Sequence, residues 1–373
     1  MNKHLHIVRF FVLMVSAGAL AFSCIGKTEY PTDLPVSDGS EKPNDTTYIV
    51  VQPLWTEAGG KAFNHPHGVT FGYDRSVYIC DTDNDRVVRL GVTGEFIEEY
   101  AVPHPVQITQ DRQLNLLCVN GKDVVYRRSH FGGGEFDTVL FRDSLGVFVE
   151  NQHLATDSLF FDSLYVDTAW VESVWVQIQV VVTDTILVRV PTGFLGIAAS
   201  PLPDRNYLVA DTTRDIISIL NVDDHGLAGD IFRDFSRTPA DNPVGLMTYL
   251  TGESSYNIVI TQAARYGGVR IVRSPTFADV VLDTSDIYDL LPAGHKQIAR
   301  DDLGNFLVVS TPAHAVYRFT KHGAFDLKFG GAGFEPGKLN GPCGIAWGEG
   351  VLYVADTGNN RIVRHQLSTD LQY

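Results

Sequence analysis

Cysteine is scarce in this sequence, with 4 residues in 373, which excludes a small scaffold built from disulfides. Only one apolar stretch, at the N-terminus, approaches the length of a membrane span, so a protein with several membrane helices is excluded. Positive charge is also scarce, because 29 Lys and Arg stand against 44 Asp and Glu and give a formal charge of −15. A surface that acidic repels phosphate backbones, and we expect no nucleic-acid partner.

Apolar and turn-forming residues are plentiful by contrast. Hydrophobic residues make up 44% of the chain and charged residues only 20%, which argues against disorder. Glycine (34), proline (17) and aromatic residues (21 Phe, 15 Tyr and 4 Trp) are spread along the whole chain. This composition predicts an all-β protein of many short strands joined by turns.

The N-terminus has the features of an export signal. Lys3 and Arg9 precede an apolar segment over 10–22 that is too short to cross a bilayer as a finished helix. The small residues Ala21 and Ser23 directly before Cys24 resemble a bacterial lipobox. That resemblance implies cleavage before Cys24 and diacylation of its thiol. An ordinary secretory signal, in which Cys24 is incidental, is the alternative.

The first 47 residues are therefore predicted to be a targeting signal followed by a tether. Residues 1–23 form the lipoprotein signal peptide, and 24–47 form a flexible tether, since they are rich in Pro, Asp, Ser, Thr and Lys. We expect a lipid-anchored protein of the bacterial cell envelope, on the outer membrane or cell surface and facing the periplasm or the exterior. Contact with the membrane would be through the lipid alone.

A repeat organises the rest of the chain. Residues 66–89 and 103–126 align without a gap at an offset of 37, which places His67 on His104, and 342–364 repeat the same pattern. With three weaker copies there are six, each of which reads as a small antiparallel meander. Six such sheets can bury their faces against one another around an axis, which predicts a six-bladed β-propeller over 48–373. The first-strand positions of the copies are His67, His104, Leu195, Val244, Lys296 and Cys343.

The segments 81–87 (DTDNDRV) and 356–362 (DTGNNRI) resemble NHL repeats, as do the Pro-x-Gly starts upstream of them. The resemblance implies the six-bladed propeller fold of that family. The residues themselves also have a structural interpretation. The Asp and Asn side chains can hold a tight turn by accepting hydrogen bonds from its backbone, and the following Arg can pair with the Asp.

Two segments stand outside the simple repeat. Residues 48–60 resemble the strand and glycines at 325–333, and we expect the N-terminal strand to complete the last blade and close the ring. Residues 147–192 contain no glycine, and we interpret 143–190 as one or two long hairpins inserted into blade two or between blades two and three. A degenerate seventh blade is the alternative. Trp170 and Trp175 would provide a contact surface there, unless they pack on the core of the insertion.

The first-strand positions form the most informative group of candidate site residues. In a propeller they lie at one mouth of the central channel, where consecutive blades supply Cys343, His67 and His104, with Lys296 beside them. Imidazole and thiolate are good ligands for zinc, and three such ligands with an open position would suit a catalytic site. The alternative is that both histidines bond only backbone groups and water.

The NHL propellers that this sequence resembles include the peptidylglycine amidating lyases. Those enzymes bind zinc through histidines that follow a proline at the start of a repeat. Those lyases take their histidines from alternating blades, whereas His67 and His104 are on neighbours, so this activity is not expected. Calcium has little support either, because no carboxylates cluster at matched blade positions. We therefore expect no cofactor, with zinc or calcium as alternatives.

These observations favour an envelope lipoprotein whose propeller binds a peptide, protein or glycan partner at the channel mouth without turnover. The alternative is a metal-dependent hydrolase or lyase that uses the His and Cys residues of the mouth.

Overall fold

The computed structural model describes residues 47–368, apart from gaps at 131–133, 142–143, 167–168, 192, 205, 214, 222–225, 231–241, 265–267, 275, 277, 281 and 284–285. Almost all regular structure in this part of the chain is β-strand. The helical elements within the described ranges are two 3-10 turns, Thr82–Asn84 and Thr357–Asn359, and the single-turn helix α1 (Asp286–Asp289). None of them is long and apolar enough to cross a bilayer.

Twenty-four strands form six four-stranded antiparallel sheets, which are the six blades. Blade 1 has β4 (Pro66–Phe71), β5 (Val77–Asp81), β6 (Arg86–Leu90) and β7 (Phe96–Ala101). Blade 2 has β8 (Gln107–Gln110), β9 (Leu116–Val119), β10 (Val124–Arg128) and β11 (Asp137–Phe141). Blade 3 has β14 (Phe194–Ala199), β15 (Asn206–Asp211), β16 (Ile216–Asn221) and β17 (Gly226–Asp230).

The second half of the ring continues the same meander. Blade 4 has β18 (Pro243–Leu250), β19 (Tyr256–Gln262), β20 (Val269–Ser274) and β21 (Ala278–Asp279). Blade 5 has β22 (Lys296–Arg300), β23 (Phe306–Ser310), β24 (Ala315–Phe319) and β25 (Phe325–Gly330). Blade 6 has β26 (Gly344–Gly348), β27 (Val351–Asp356), β28 (Arg361–Leu367) and the N-terminal strand β1 (Tyr48–Trp55). The predicted six-bladed β-propeller is thus confirmed.

The first strands of all six blades line one central channel. A cavity of about 370 Å³ lies against residues from β4, β8, β14, β18, β22 and β26. The apolar core is divided among the junctions between blades, because each of its six clusters combines residues of two neighbouring blades. Removing these faces from water is the main force that holds the ring together.

The N-terminal strand closes the ring, as the sequence predicted. β1 pairs antiparallel with β28, from Tyr48 opposite Leu367 to Val51 opposite Arg364. Arg364 strengthens the seam, since its Nη2 donates to the Pro53 carbonyl at 2.9 Å and its guanidinium lies 4.6 Å from the centre of the Trp55 ring.

The insertion after blade 2 is a single long hairpin. β12 (Ser144–Val166) pairs antiparallel with β13 (Ala169–Pro191), from Ser144 opposite Pro191 to Val166 opposite Ala169. It is a separate two-stranded sheet, so it is one hairpin and not a seventh blade. Trp170 and Trp175 lie on β13, and the contacts of their side chains are outside what the structure describes. A second, very short hairpin is formed by β2 (Glu57–Ala58) and β3 (Lys61–Ala62).

Buried Asp–Arg pairs hold the turns between the second and third strands of blades 1 and 6. Asp81 accepts hydrogen bonds from the Asn64 amide (2.7 Å), the Asn84 side chain (2.8 Å) and Arg86 Nε (2.7 Å). In blade 6, Asp356 likewise accepts a hydrogen bond from Arg361 Nε at 2.7 Å. The predicted pairing of the repeat Arg with the Asp is therefore confirmed. The backbone amides that the two carboxylates bind are those of Asn64 and Asn340, ahead of the first strand, and not those of the turn itself.

Threonine hydroxyls join neighbouring blades at five of the six junctions. Each donates to a backbone carbonyl at the start of the next blade: Thr82 to Pro105 (2.7 Å), Thr212 to Pro243 (2.5 Å), Thr261 to Lys296 (2.5 Å), Thr311 to Pro342 (2.6 Å) and Thr357 to Pro66 (2.8 Å). In four of the five blades this threonine directly follows the last residue of the second strand. The threonine of the repeat thus acts between blades, whereas the Asp before it acts within one.

His365 should make the closed ring sensitive to acid. It lies on β28, is 1% exposed, and neither of its ring nitrogens has a hydrogen-bond partner. Burial, assisted by the positive charge of Arg361, lowers its pKa to about 3. The unfolded chain therefore binds a proton that the folded chain excludes between about pH 6.5 and pH 3, and stability is lost as the pH falls through that range.

We predict that in His365→Leu the free energy of unfolding falls less steeply with decreasing pH than in wild type. The difference in slope is up to about 1.4 kcal/mol per pH unit. Urea unfolding of the full chain at pH 7, 5.5 and 4.5 measures it. His322→Leu serves as the control, because that histidine is 58% exposed. Equal slopes for His365→Leu and wild type would contradict the assignment.

Candidate functional site

The register of the strands defines which residues are equivalent at the channel mouth. Val69 pairs with Ile79 in blade 1, and Ile108 pairs with Cys118 in blade 2, so the first two strands of these blades are related by an offset of 39. The ungapped offset of 37 does not hold there, because it sets these strands two residues out of register. Val106, not His104, is therefore the equivalent of His67.

His104 is instead the equivalent of His65, and both stand immediately before the proline that begins a blade. Both have left-handed backbone, with φ of 46° and 48°. The backbone amide of each donates at 2.8 Å to a side chain of the preceding blade, His104 to Asp85 and His65 to Asn360. These strained positions lie at the rim of the mouth, where the side chains are about half exposed.

An open pocket of about 400 Å³ lies at this mouth, and we call it the mouth pocket. It is lined by residues of blades 1, 2, 3 and 6: His65, His67, Thr82, Asp83, His104, Val106, Asn120, Gly121, Lys122, Leu195 and Thr357. Asp83 stands between the two rim histidines, with its carboxylate 2.6 Å from His65 Nδ1 and 4.0 Å from His104 Nδ1. The rim is thus polar, whereas Val106 and Leu195 contribute apolar surface.

A second group of side chains, His67, His295 and Cys343, lies beside the pocket. One ring nitrogen of each histidine and the sulfur of Cys343 lie within 4.8 Å of one another. The two rings meet edge to face with centroids 5.0 Å apart. We call these three residues the His-Cys cluster, and they come from the starts of blades 1, 5 and 6 respectively. The structure therefore brings together His67 and Cys343 as expected, but with His295 in the place that the sequence assigned to His104.

Burial and the charges within the cluster shift the pKa values of its three side chains. Burial alone would raise the pKa of the Cys343 thiol, but the charge and hydrogen bond of His67, with hydrogen bonds from Thr357 and Thr311, lower it to about 7. For His67 burial opposes protonation, yet the neighbouring Cys343 raises its pKa above the usual value. Burial, followed by the charge of His67, lowers the pKa of His295 to about 3, so that ring is neutral.

Lys296 lies close enough to the cluster for its charge to oppose protonation of His295. Its side chain is fully buried, and its Nζ donates to the carbonyls of Gln262 and Gly294 at 3.1 Å. Burial lowers the pKa of the ammonium group to about 8. Lys296 therefore joins blades 4 and 5, and the residue before it, His295, supplies a side chain of the cluster.

His295 was missed in the sequence, although a signal for it exists. Four blades have proline at the residue that begins them: Pro66, Pro105, Pro243 and Pro342. Blade 5 has no proline there: Lys296 pairs with Ser310 as Pro66 pairs with Asp81, and His295 directly precedes it. The missing proline, replaced by the pair His295-Lys296, is the feature that distinguishes the start of blade 5 in the sequence.

Comparison with known proteins shows the fold and no more. No protein-family model matches the sequence, and no curated protein does. Among solved structures, a Bacteroides thetaiotaomicron structural genomics protein of unknown function is 12% identical with a TM-score of 0.57, over 87% of this chain and 77% of its own. An auxiliary nutrient binding protein from the same organism is 10% identical with a TM-score of 0.55, over 86% and 77%. A streptogramin B lyase is 12% identical with a TM-score of 0.47, over 87% and 97%.

Cys343 should be the most reactive thiol among the described residues. Cys80, Cys118 and Cys343 are all free, but Cys80 is enclosed and burial raises its pKa, whereas His67 favours the thiolate of Cys343. We predict that iodoacetamide alkylates Cys343 at least tenfold faster than Cys80 at pH 7 in chelator-treated protein, and that His67→Gln slows this several-fold.

Peptide mass spectrometry after timed labelling measures each site separately. His104→Gln is the control, because that side chain lies on the rim outside the cluster, and it should leave the rate unchanged. Equal rates at Cys343 and Cys80 would contradict the prediction.

Proposed function

We propose that the chain is a lipid-anchored binding protein of the bacterial envelope, related to the NHL-repeat propellers, that holds a ligand in the mouth pocket without turnover. The observation that supports it is the mouth pocket itself, which is open, polar at its rim and about 400 Å³ in volume. A pocket of this size accepts a ligand of a few residues or sugar units. One structure of similar fold is described as an auxiliary nutrient binding protein, which agrees with this function but does not establish it.

The charges of the pocket favour a short peptide, or the end of a protein chain, over a glycan. Asp83 and Lys122 line the same pocket and offer one negative and one positive group. An ammonium and a carboxylate on one ligand complement such a pair. Among the described residues that line the pocket there is no Phe, Tyr or Trp, so this part of the lining offers no large aromatic surface of the kind on which sugar rings stack.

The binding proposal predicts that the two charges act together. Arrays of tripeptides to hexapeptides and of oligosaccharides, probed with the full chain, should identify short peptides. Asp83→Asn and Lys122→Gln should each weaken binding of those peptides at least tenfold, because each leaves one charged end of the ligand unpaired. Isothermal titration measures the affinity.

Matched controls are Asp302→Asn and Lys321→Gln, which change exposed residues of blade 5 outside the mouth pocket. Peptides that bind the pocket variants and the controls equally would refute the proposed site, and selective capture of oligosaccharides would refute the ligand class.

The anchor gives a separate prediction. Cys24 is outside the described residues, so the lipobox resemblance is its support. Cells fed an alkyne-labelled fatty acid should incorporate it into wild type and not into Cys24→Ala, which should also leave the membrane fraction. Cys118→Ala controls for loss of a thiol elsewhere. Label retained in Cys24→Ala would contradict the anchor and leave the pocket proposal untouched.

A further inference from the structure

We propose that His67, His295 and Cys343 form a three-ligand zinc site at the channel mouth. This inference is independent of the binding function above, because it concerns side chains that face one another and not the ligand of the pocket. The residues come from three consecutive blades of the ring, 5, 6 and 1, each at the start of its first strand. Propeller closure thus brings together donors that are 228 and 48 positions apart in the sequence.

The donor set suits zinc. Two imidazole nitrogens and one thiolate are ligands of intermediate softness, which zinc prefers, whereas calcium and magnesium prefer oxygen. Zinc bonds of about 2.0–2.3 Å in a tetrahedral arrangement put ligand atoms roughly 3.4–3.6 Å apart. The ligand atoms here lie within 4.8 Å of one another, so small side-chain rotations close the site.

The hydrogen bonds around both rings leave them prepared as ligands. His67 Nδ1 lies 3.1 Å from the Val106 carbonyl, so this nitrogen carries a proton and Nε2 is the ring atom left to bind a metal. A metal-bound histidine commonly donates its second N–H to a backbone carbonyl in this way. His295 Nε2 is buried and has no hydrogen-bond partner. A buried nitrogen without a partner is costly, and a metal ion would satisfy it.

The three protein ligands leave a fourth position for water or for a group of a ligand. His67 belongs both to the cluster and to the lining of the mouth pocket, so the site borders that pocket. Three ligands with one open position are typical of zinc sites that bind or activate a small molecule. Binding zinc would release the thiol proton of Cys343, since the thiolate is the ligand.

Cobalt(II) is the probe that tests the site. The full chain, treated with chelator and then titrated with cobalt(II), should bind one equivalent and develop the charge-transfer absorption of a cobalt–thiolate bond, which added zinc abolishes. Cys343→Ser should remove that absorption, and His295→Gln should weaken cobalt binding at least a hundredfold. His104→Gln should bind cobalt as wild type does. Each variant is first checked for wild-type far-ultraviolet circular dichroism.

Thermal unfolding gives a second readout that does not depend on colour. Zinc should raise the unfolding temperature of wild type and of His104→Gln but not of Cys343→Ser or His295→Gln. Absence of the cobalt–thiolate band in wild type would overturn the site and leave a metal-free Cys343–His67 pair. Loss of cobalt from His104→Gln with retention in His295→Gln would overturn the assignment of His295. None of these outcomes bears on peptide binding, which is measured in the presence of chelator.

Discussion

The pairing of β1 with β28 is the constraint on which the rest of the molecule depends. Five blades are meanders that form from contiguous sequence, but blade 6 takes its outer strand from the other end of the chain. Tyr48 and Trp55 of that strand belong to the apolar clusters that blade 6 shares with blades 5 and 1. The mouth is formed by the same closure, because His67 and Cys343 lie on the two sides of the junction between blades 6 and 1.

The Asp, Arg and Thr side chains of the repeat have two structural roles in this ring. The Asp–Arg pairs hold turns within a blade, as Asp81 does with Arg86, and their burial makes them effective only as complete pairs. The threonine after the Asp reaches the next blade and fixes the start of its first strand, as Thr82 does at Pro105. The repeat therefore sets the spacing of the residues at the mouth as well as the shape of each blade. The positions of the polar groups in the mouth pocket depend on that spacing.

The fold could be predicted from the sequence because it rests on patterns that recur. Short apolar strands, glycine turns and a repeated Asp-Thr motif indicated six sheets, and 48–60 indicated the closing strand. The site was harder, because it depends on single residues. Aligning His67 with His104 used an offset of 37, whereas the strand register relates the first two strands of blades 1 and 2 by an offset of 39. A shift of two along a strand keeps the side chain on the same face and exchanges one inward-facing position for the next. His295 was overlooked because it precedes its strand and interrupts the proline pattern, so no periodicity includes it.

Closure through paired end strands has a topological consequence. The Ser368 amide donates to the Thr47 carbonyl at 2.9 Å, which puts the two ends of the described chain side by side. The two ends of the described chain therefore meet within blade 6, between its third and fourth strands. A short peptide linker could join residues 47 and 368, and new ends could be opened at the tip of the β12–β13 hairpin without interrupting any blade. In the natural chain order, a domain fused after residue 368 would begin beside residue 47, where the described chain starts.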